Sequence, residues 1–218
     1  MDRLALLQNQ AKSMLHLQDT INSKINKEWR SAGNPWYRAI WTECAELMDH
    51  VGWKWWKSQE VDIAQMKLEL VDIWHFGLSE LLASDHTESK VEALLASALS
   101  ELDKDQKSNA SAQNILDAIE SFSLATLKSK SFDLPSFITL ATASDLSASE
   151  LFKSYVGKNI LNKFRQDNGY KSGTYIKIWE GKEDNVWLSE LIEKLSINSS
   201  DFSEELYNLL ATTYKNKA

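Results

Sequence analysis

The sequence predicts an all-α protein, a helical bundle with a continuous apolar core. Three observations carry that expectation. Only two prolines and seven glycines occur in 218 residues, so helix breakers are few. Leu, Ala, Glu and Lys prevail over runs of Val, Ile and Thr. Apolar residues recur at helical spacing along most of the chain. Hydrophobic residues make up 43% and charged residues 25%, the balance of a globular protein long enough for one large domain or for a core with an elaborated second half.

The elements follow in order. Residues 3–29 read as one long helix, with Leu4, Leu7, Ala11, Met14, Leu15, Ile21 and Ile25 at helical spacing. A Gly33-Asn34-Pro35 turn closes that region. A second helix is expected from about Trp36 to Val51, stopped by Gly52. The short Trp53-Lys54-Trp55-Trp56-Lys57 segment precedes a third helix over about 61–82. Residues 84–112 are polar and acidic, with a helix start at Asp85-His86-Thr87-Glu88. Helices resume near 89–103, 112–127 and 135–143, a middle stretch without tryptophan that reads as structural or as an interface. Residues 145–166 form a further helix whose acidic start and basic end suit the helix dipole. A glycine- and lysine-rich loop spans 169–183, and weaker helices near 184–196 and 200–214 close the chain. No repeat of fixed period and no low-complexity segment interrupts this pattern.

Charge and cysteine content exclude several classes. A net charge of −7 argues against a nucleic-acid polymer as partner. A single cysteine, Cys44, rules out an internal disulfide. Met1-Asp2-Arg3 leads into an amphipathic stretch, not the apolar run of a signal peptide. No run of uncharged apolar residues approaches the roughly 18 needed to span a membrane. A cytoplasmic protein with no membrane partner is the expectation.

Two spacings stand out chemically. Glu43-x-x-Glu46 and Glu69-x-x-Asp72 each place two carboxylates on one helical face, inside strongly apolar surroundings. Carboxylates turned toward a core are costly unless something positive meets them. Four acids on two facing helices make a hard-oxygen cage suited to Mg²⁺ or Mn²⁺, and so to metal-assisted phosphate chemistry. Two solvated helix faces are the plainer alternative. Asp49 extends the first acidic row by one step, as a further ligand or a supporting residue. Asp72-x-x-His75 raises a di-iron bundle as a rival, but that site needs the Glu-x-x-His pattern on two helices. His50 lies four residues after Glu46, the wrong offset.

Lys158, Lys163, Arg165, Lys171, Lys177 and Lys182 crowd one stretch of an otherwise acidic chain, interleaved with Asn159, Asn162, Asn168 and Tyr170. They read either as a solvated loop or as a clamp that closes over a polyphosphate, the counterpart of the acidic cage. Trp53, Trp55 and Trp56 are core anchors or a wall for a base. Gln18 and Asn22 share a helical face, and their amides can match the edge of a pyrimidine.

At these residues the chain resembles the dimeric, all-α dUTPases of the wider all-α nucleoside triphosphate pyrophosphatase (MazG-like) superfamily. The resemblance rests on ECAELMD (43–49), WKWWK (53–57), ELVDIWHF (69–76) and the long string GKNILNKFRQDNGYKSGTYIKIWEGKEDN (157–185). It covers roughly residues 10–82 and 150–187. It implies a single all-α domain over 1–218, with catalytic helices in about 1–84 and 146–187 and a structural or interface segment over about 85–145. The implied activity is hydrolysis of dUTP, and of dUDP, to dUMP with release of pyrophosphate or phosphate, which limits uracil in DNA. Glu43, Glu46, Glu69 and Asp72 match Mg²⁺ ligands. Glu46, with Glu43, is the implied catalytic pair, Glu46 orienting or deprotonating the attacking water. Lys158, Arg165, Tyr170 and Lys177 match phosphate-contacting positions. Asn162 and His75 match positions near the sugar, Gln18 and Asn22 the uracil-reading amides, and Trp53 a wall of the base pocket. A homodimer is implied as well. A related pyrophosphatase of other base preference and a non-catalytic nucleotide sensor are the rival functions.

Overall fold

A computed structural model describes residues 3–84, 86–104, 111–195 and 202–217. The helix start expected at Asp85 and the helix limits expected at 196 and 200 lie outside these. The protein is all-α: 74% helical, with nine helices and one two-stranded ribbon among the described residues. No described helix is long and apolar enough to cross a membrane. The chain divides into two compact units, Met1–Phe152 and Lys153–Ala218.

The first unit begins with α1 (Arg3–Ile25), shorter than the expected 3–29. Asn26 ends it, because its side chain accepts the Glu28 amide hydrogen at 3.0 Å and so offers the backbone a turn instead of another helical bond. Trp29 then folds back and is buried, its indole nitrogen donating to Asp19 at 3.2 Å. Helix α2 (Trp36–Val51) follows Pro35 and is closed by Gly52 in the left-handed conformation, φ 77°. Helix α3 (Ile63–Ala83) is capped by Asp62, which accepts from the Gln65 amide at 3.0 Å. The middle helices are α4 (Glu88–Leu102), α5 (Ala112–Ser129) and α6 (Leu134–Ala143). They are part of the core: α4 packs on α1, α5 on α2, and α6 on both α4 and α5. Phe132 and Phe137 from this stretch flank Trp74 of α3, which stacks on Phe137 at 5.2 Å, and Phe122 packs edge-on against both phenylalanines. The indole nitrogen of Trp74 reaches Met14 Sδ at 3.4 Å, tying α3 to α1. Helices α2 and α3 pack along their lengths, which brings their acidic faces together.

Helix α7 (Ala148–Asp167) starts in a capping box, Ser147 and Glu150 bonding each other's amide hydrogens at 3.2 and 3.0 Å. From Lys153 onward it belongs to the second unit. The expected loop at 169–183 holds more order than its composition suggests. It carries a 3₁₀ turn at Tyr170–Ser172 and a small antiparallel ribbon, β1 (Ile178–Trp179) and β2 (Lys182–Glu183). Glu180 and Gly181 link the strands with φ of 47° and 78°, the geometry of a tight hairpin turn. Helices α8 (Asp184–Ile192) and α9 (Phe202–Lys217) pack on each other. Phe164, Tyr175, Trp179 and Tyr214 make the aromatic centre of this unit.

Candidate functional site

In the first unit, α2 and α3 bring Glu43, Glu69 and Asp72 together, with one ligand oxygen from each lying within 4.8 Å of the others. Glu69 is buried and the other two are half-buried. Burial pushes the Glu43 carboxyl up to about 8, and the charges of Asp72, Glu69 and Glu46 push the same way. A hydrogen bond to Glu69 holds its proton. Glu46 is exposed and stands outside the 4.8 Å group, though near enough to act on Glu43. Three crowded carboxylates that share a proton are a donor set for a hard divalent cation, whose charge removes their mutual repulsion.

Sequence reasoning missed His50 here. Its Nε2 lies 3.5 Å from Glu69 Oε1. The signal lies in the spacing, since His50 falls seven residues after Glu43 on the same face. Asp49 turns elsewhere: it accepts from Lys54 Nζ at 2.7 Å and Trp53 Nε1 at 3.1 Å, and these bonds hold its carboxyl below the usual range. Trp53 is partly exposed, edge-on to Trp56, while Trp55 stands 88% exposed. Cys44 is buried on α2, where desolvation raises its thiol to about 11 and keeps it inert.

His75 takes no part in the carboxylate group. It joins Gln18 and Asn22 in a buried polar cluster between α1 and α3. Gln18 Oε1 meets His75 Nδ1 at 2.8 Å, and Gln18 Nε2 donates to Asn22 Oδ1 at 3.1 Å. Ser79, unmarked in the sequence, completes the cluster: Gln18 Nε2 and Asn22 Nδ2 each lie 2.9 Å from its Oγ. A cavity of about 320 Å³ elsewhere in this unit is lined by Val51, Met66, Ile115 and Ser144 and includes none of these residues.

In the second unit, Arg165 is held by Asp184, which is fully buried. Nε donates to Oδ2 at 2.8 Å and one terminal nitrogen to Oδ1 at 2.7 Å. Further bonds run to Asn162 Oδ1 and Asn185 Oδ1, each at 3.1 Å. Four of the five guanidinium hydrogens are thereby committed. Lys158, also buried, donates to Asn185 Oδ1 at 3.0 Å, and the Tyr175 hydroxyl donates to Asp184 Oδ2 at 2.9 Å. Burial and the Asp184 carboxylate raise the Tyr175 hydroxyl far above its ordinary value. Lys177 pairs with Glu183 at 3.0 Å on the surface, and Tyr170 lies half-exposed beside the Arg165 guanidinium. Lys163 pairs with Asp167 and Lys182 with Glu190, so much of the basic stretch is already neutralised. Asp184 and Asn185 fall at the end of the 157–185 string, where no spacing marks them as partners of Arg165.

A family model described as dUTPase matches residues 10–170, well over half of the chain. The chain belongs to the dUTPase family. A comparison with curated proteins found no match. This dUTPase is an enzyme, a dUTP diphosphatase of the all-α kind, and its substrate is a nucleotide. The family's divalent-metal chemistry fits the clustered Glu43, Glu69 and Asp72.

Proposed function

We propose that this dUTPase is a cytoplasmic, Mg²⁺-dependent homodimer that hydrolyses dUTP and dUDP to dUMP. The observation that carries the metal assignment is the Glu43–Glu69–Asp72 group, with Glu46 one turn along the same helix. These four carboxylates are the proposed Mg²⁺ ligands, with Mn²⁺ as an alternative ion. When bound, the cation supplies charge neutralisation at the phosphates and acidifies water. Glu46, the exposed member, is the proposed acceptor for the proton of the attacking water, with Glu43 beside it as the second catalytic carboxylate. In the second unit, Lys158, Tyr170 and Lys177 are the proposed donors to phosphate oxygens. The exposed Lys177–Glu183 pair is cheap to exchange for a phosphate. Arg165, held in place by its bonds to Asp184, Asn162 and Asn185, is a further proposed phosphate-contacting residue. Gln18 and Asn22 are proposed to read the base, His75 and Asn162 to lie near the sugar, and Trp53 to wall the base. Calorimetric titration with Mg²⁺ tests the cage: wild type binds and Asp72→Ala does not. Equal binding by both proteins sinks the assignment.

A further inference from the structure

Ser79 sits buried on α3 at the centre of the Gln18–Asn22–His75 cluster. Its Oγ is 2.9 Å from Gln18 Nε2, 2.9 Å from Asn22 Nδ2 and 2.9 Å from the His75 carbonyl oxygen. A hydroxyl has one hydrogen and two lone pairs. The carbonyl can only accept, so the Ser79 hydrogen goes there. Both amides must then turn their NH₂ groups toward Oγ. Gln18 Oε1 consequently faces His75 Nδ1, which must carry the ring hydrogen. The second hydrogen of the Gln18 amide goes to Asn22 Oδ1. One hydroxyl thus sets the direction of each of these bonds.

Without that hydroxyl a second arrangement keeps the same number of hydrogen bonds among Gln18, Asn22 and His75. Asn22 donates to Gln18 Oε1, Gln18 donates to a bare His75 Nδ1, and the ring hydrogen moves to Nε2. No heavy atom has to shift, and every donor exchanges with an acceptor. The amide positions alone therefore do not define which hydrogen-bonding edge they present; the Ser79 hydroxyl does.

We propose that Ser79 is the positioning residue for base discrimination: by fixing the polarity of the Gln18–Asn22–His75 cluster, it selects a uracil edge over a cytosine edge. The proposal rests on the reading of Gln18 and Asn22 as base-facing amides. Uracil offers a carbonyl acceptor where cytosine offers an amino donor, and the two bases differ again at the ring nitrogen between their exocyclic groups. A cluster free to reverse its polarity matches both.

The test measures kcat/KM for dUTP and dCTP by pyrophosphate release, in wild type, Ser79→Ala and Ser79→Thr. Ser79→Ala should lower the preference for dUTP about tenfold, the worth of one oriented hydrogen bond. Ser79→Thr keeps the hydroxyl and should keep the preference. A general loosening of the fold would lower both substrates together and leave the ratio intact. Nitrogen NMR of His75 provides a readout without turnover: the hydrogen is on Nδ1 in wild type and is distributed between both nitrogens in Ser79→Ala. A wild type with no preference between dUTP and dCTP overturns the base-facing reading and the proposal with it. A clear wild-type preference that survives Ser79→Ala, or a wild-type His75 with its hydrogen on Nε2, overturns the role of Ser79 alone.

Discussion

Replacing Glu43 with glutamine should abolish a specific pH dependence of stability in the metal-free protein. The carboxylate oxygens of Glu43, Glu69 and Asp72 lie within 4.8 Å. A fully ionised pair at 4.8 Å repels by about 3.5 kcal/mol at an effective dielectric constant of about 20. The folded cluster avoids this by keeping one proton, shared between Glu43 and Glu69, up to about pH 8, where an ordinary glutamate loses it near 4.5. Between those values the native state holds a proton that the unfolded state has released. Stability therefore falls as pH rises, by about 1.4 kcal/mol per unit. From about pH 6 to about pH 7.5 the loss is about 2 kcal/mol. Below 4.5 both states are protonated and this slope vanishes. Glu43→Gln holds a neutral group at all pH values, so its stability should be flat across the window. Urea denaturation in EDTA at several pH values measures both proteins. Equal slopes for wild type and Glu43→Gln would refute the shared proton.

Other consequences are accessible to the same material. Mg²⁺ must displace the shared proton, so its affinity should rise about tenfold per pH unit up to about pH 8, with one proton released per ion; a pH-independent affinity contradicts this. Arg165→Ala strands the buried Asp184 and should cost about 3–5 kcal/mol, while the Arg165→Ala, Asp184→Ala pair should cost less than the sum of the single changes. Thermal and urea unfolding of the four proteins decides that cycle. Lys177→Ala removes an exposed ion pair worth less than about 1 kcal/mol, so stability should hold while binding of a non-hydrolysable triphosphate weakens more than binding of dUMP. Equal loss for both ligands argues against a phosphate role for Lys177.

The all-α class was legible because breakers are few and most sit outside the helices, Gly77 in α3 and Gly157 in α7 being among the exceptions. Pro35 and Gly52 frame α2 at the expected residues. The C-terminal limit of α1 was not legible, because an Asn side chain and not a glycine or proline ends it. The ribbon at 178–183 was hidden by strands of two residues, too short for any alternation to register. The carboxylates of α2 and α3 were readable from i, i+3 spacing, since each pair lies on one helix. Ser79 was not: its partners Gln18 and Asn22 lie 61 and 57 residues away, and a serine in an apolar helix carries no pattern of its own. Asp184 was hidden in the same way, 19 residues from the arginine it holds. Local periodicity reports what one helix presents, and these partners meet only after helices pack.

Release of pyrophosphate from dUTP, compared with dCTP, dTTP and UTP and repeated with EDTA, is the most direct measurement. Rapid turnover of dUTP alone, abolished by EDTA and restored by Mg²⁺, is the expected result. Turnover of dUTP that persists in EDTA would contradict the carboxylate cage, and equal turnover of all four nucleotides would contradict the uracil-reading cluster.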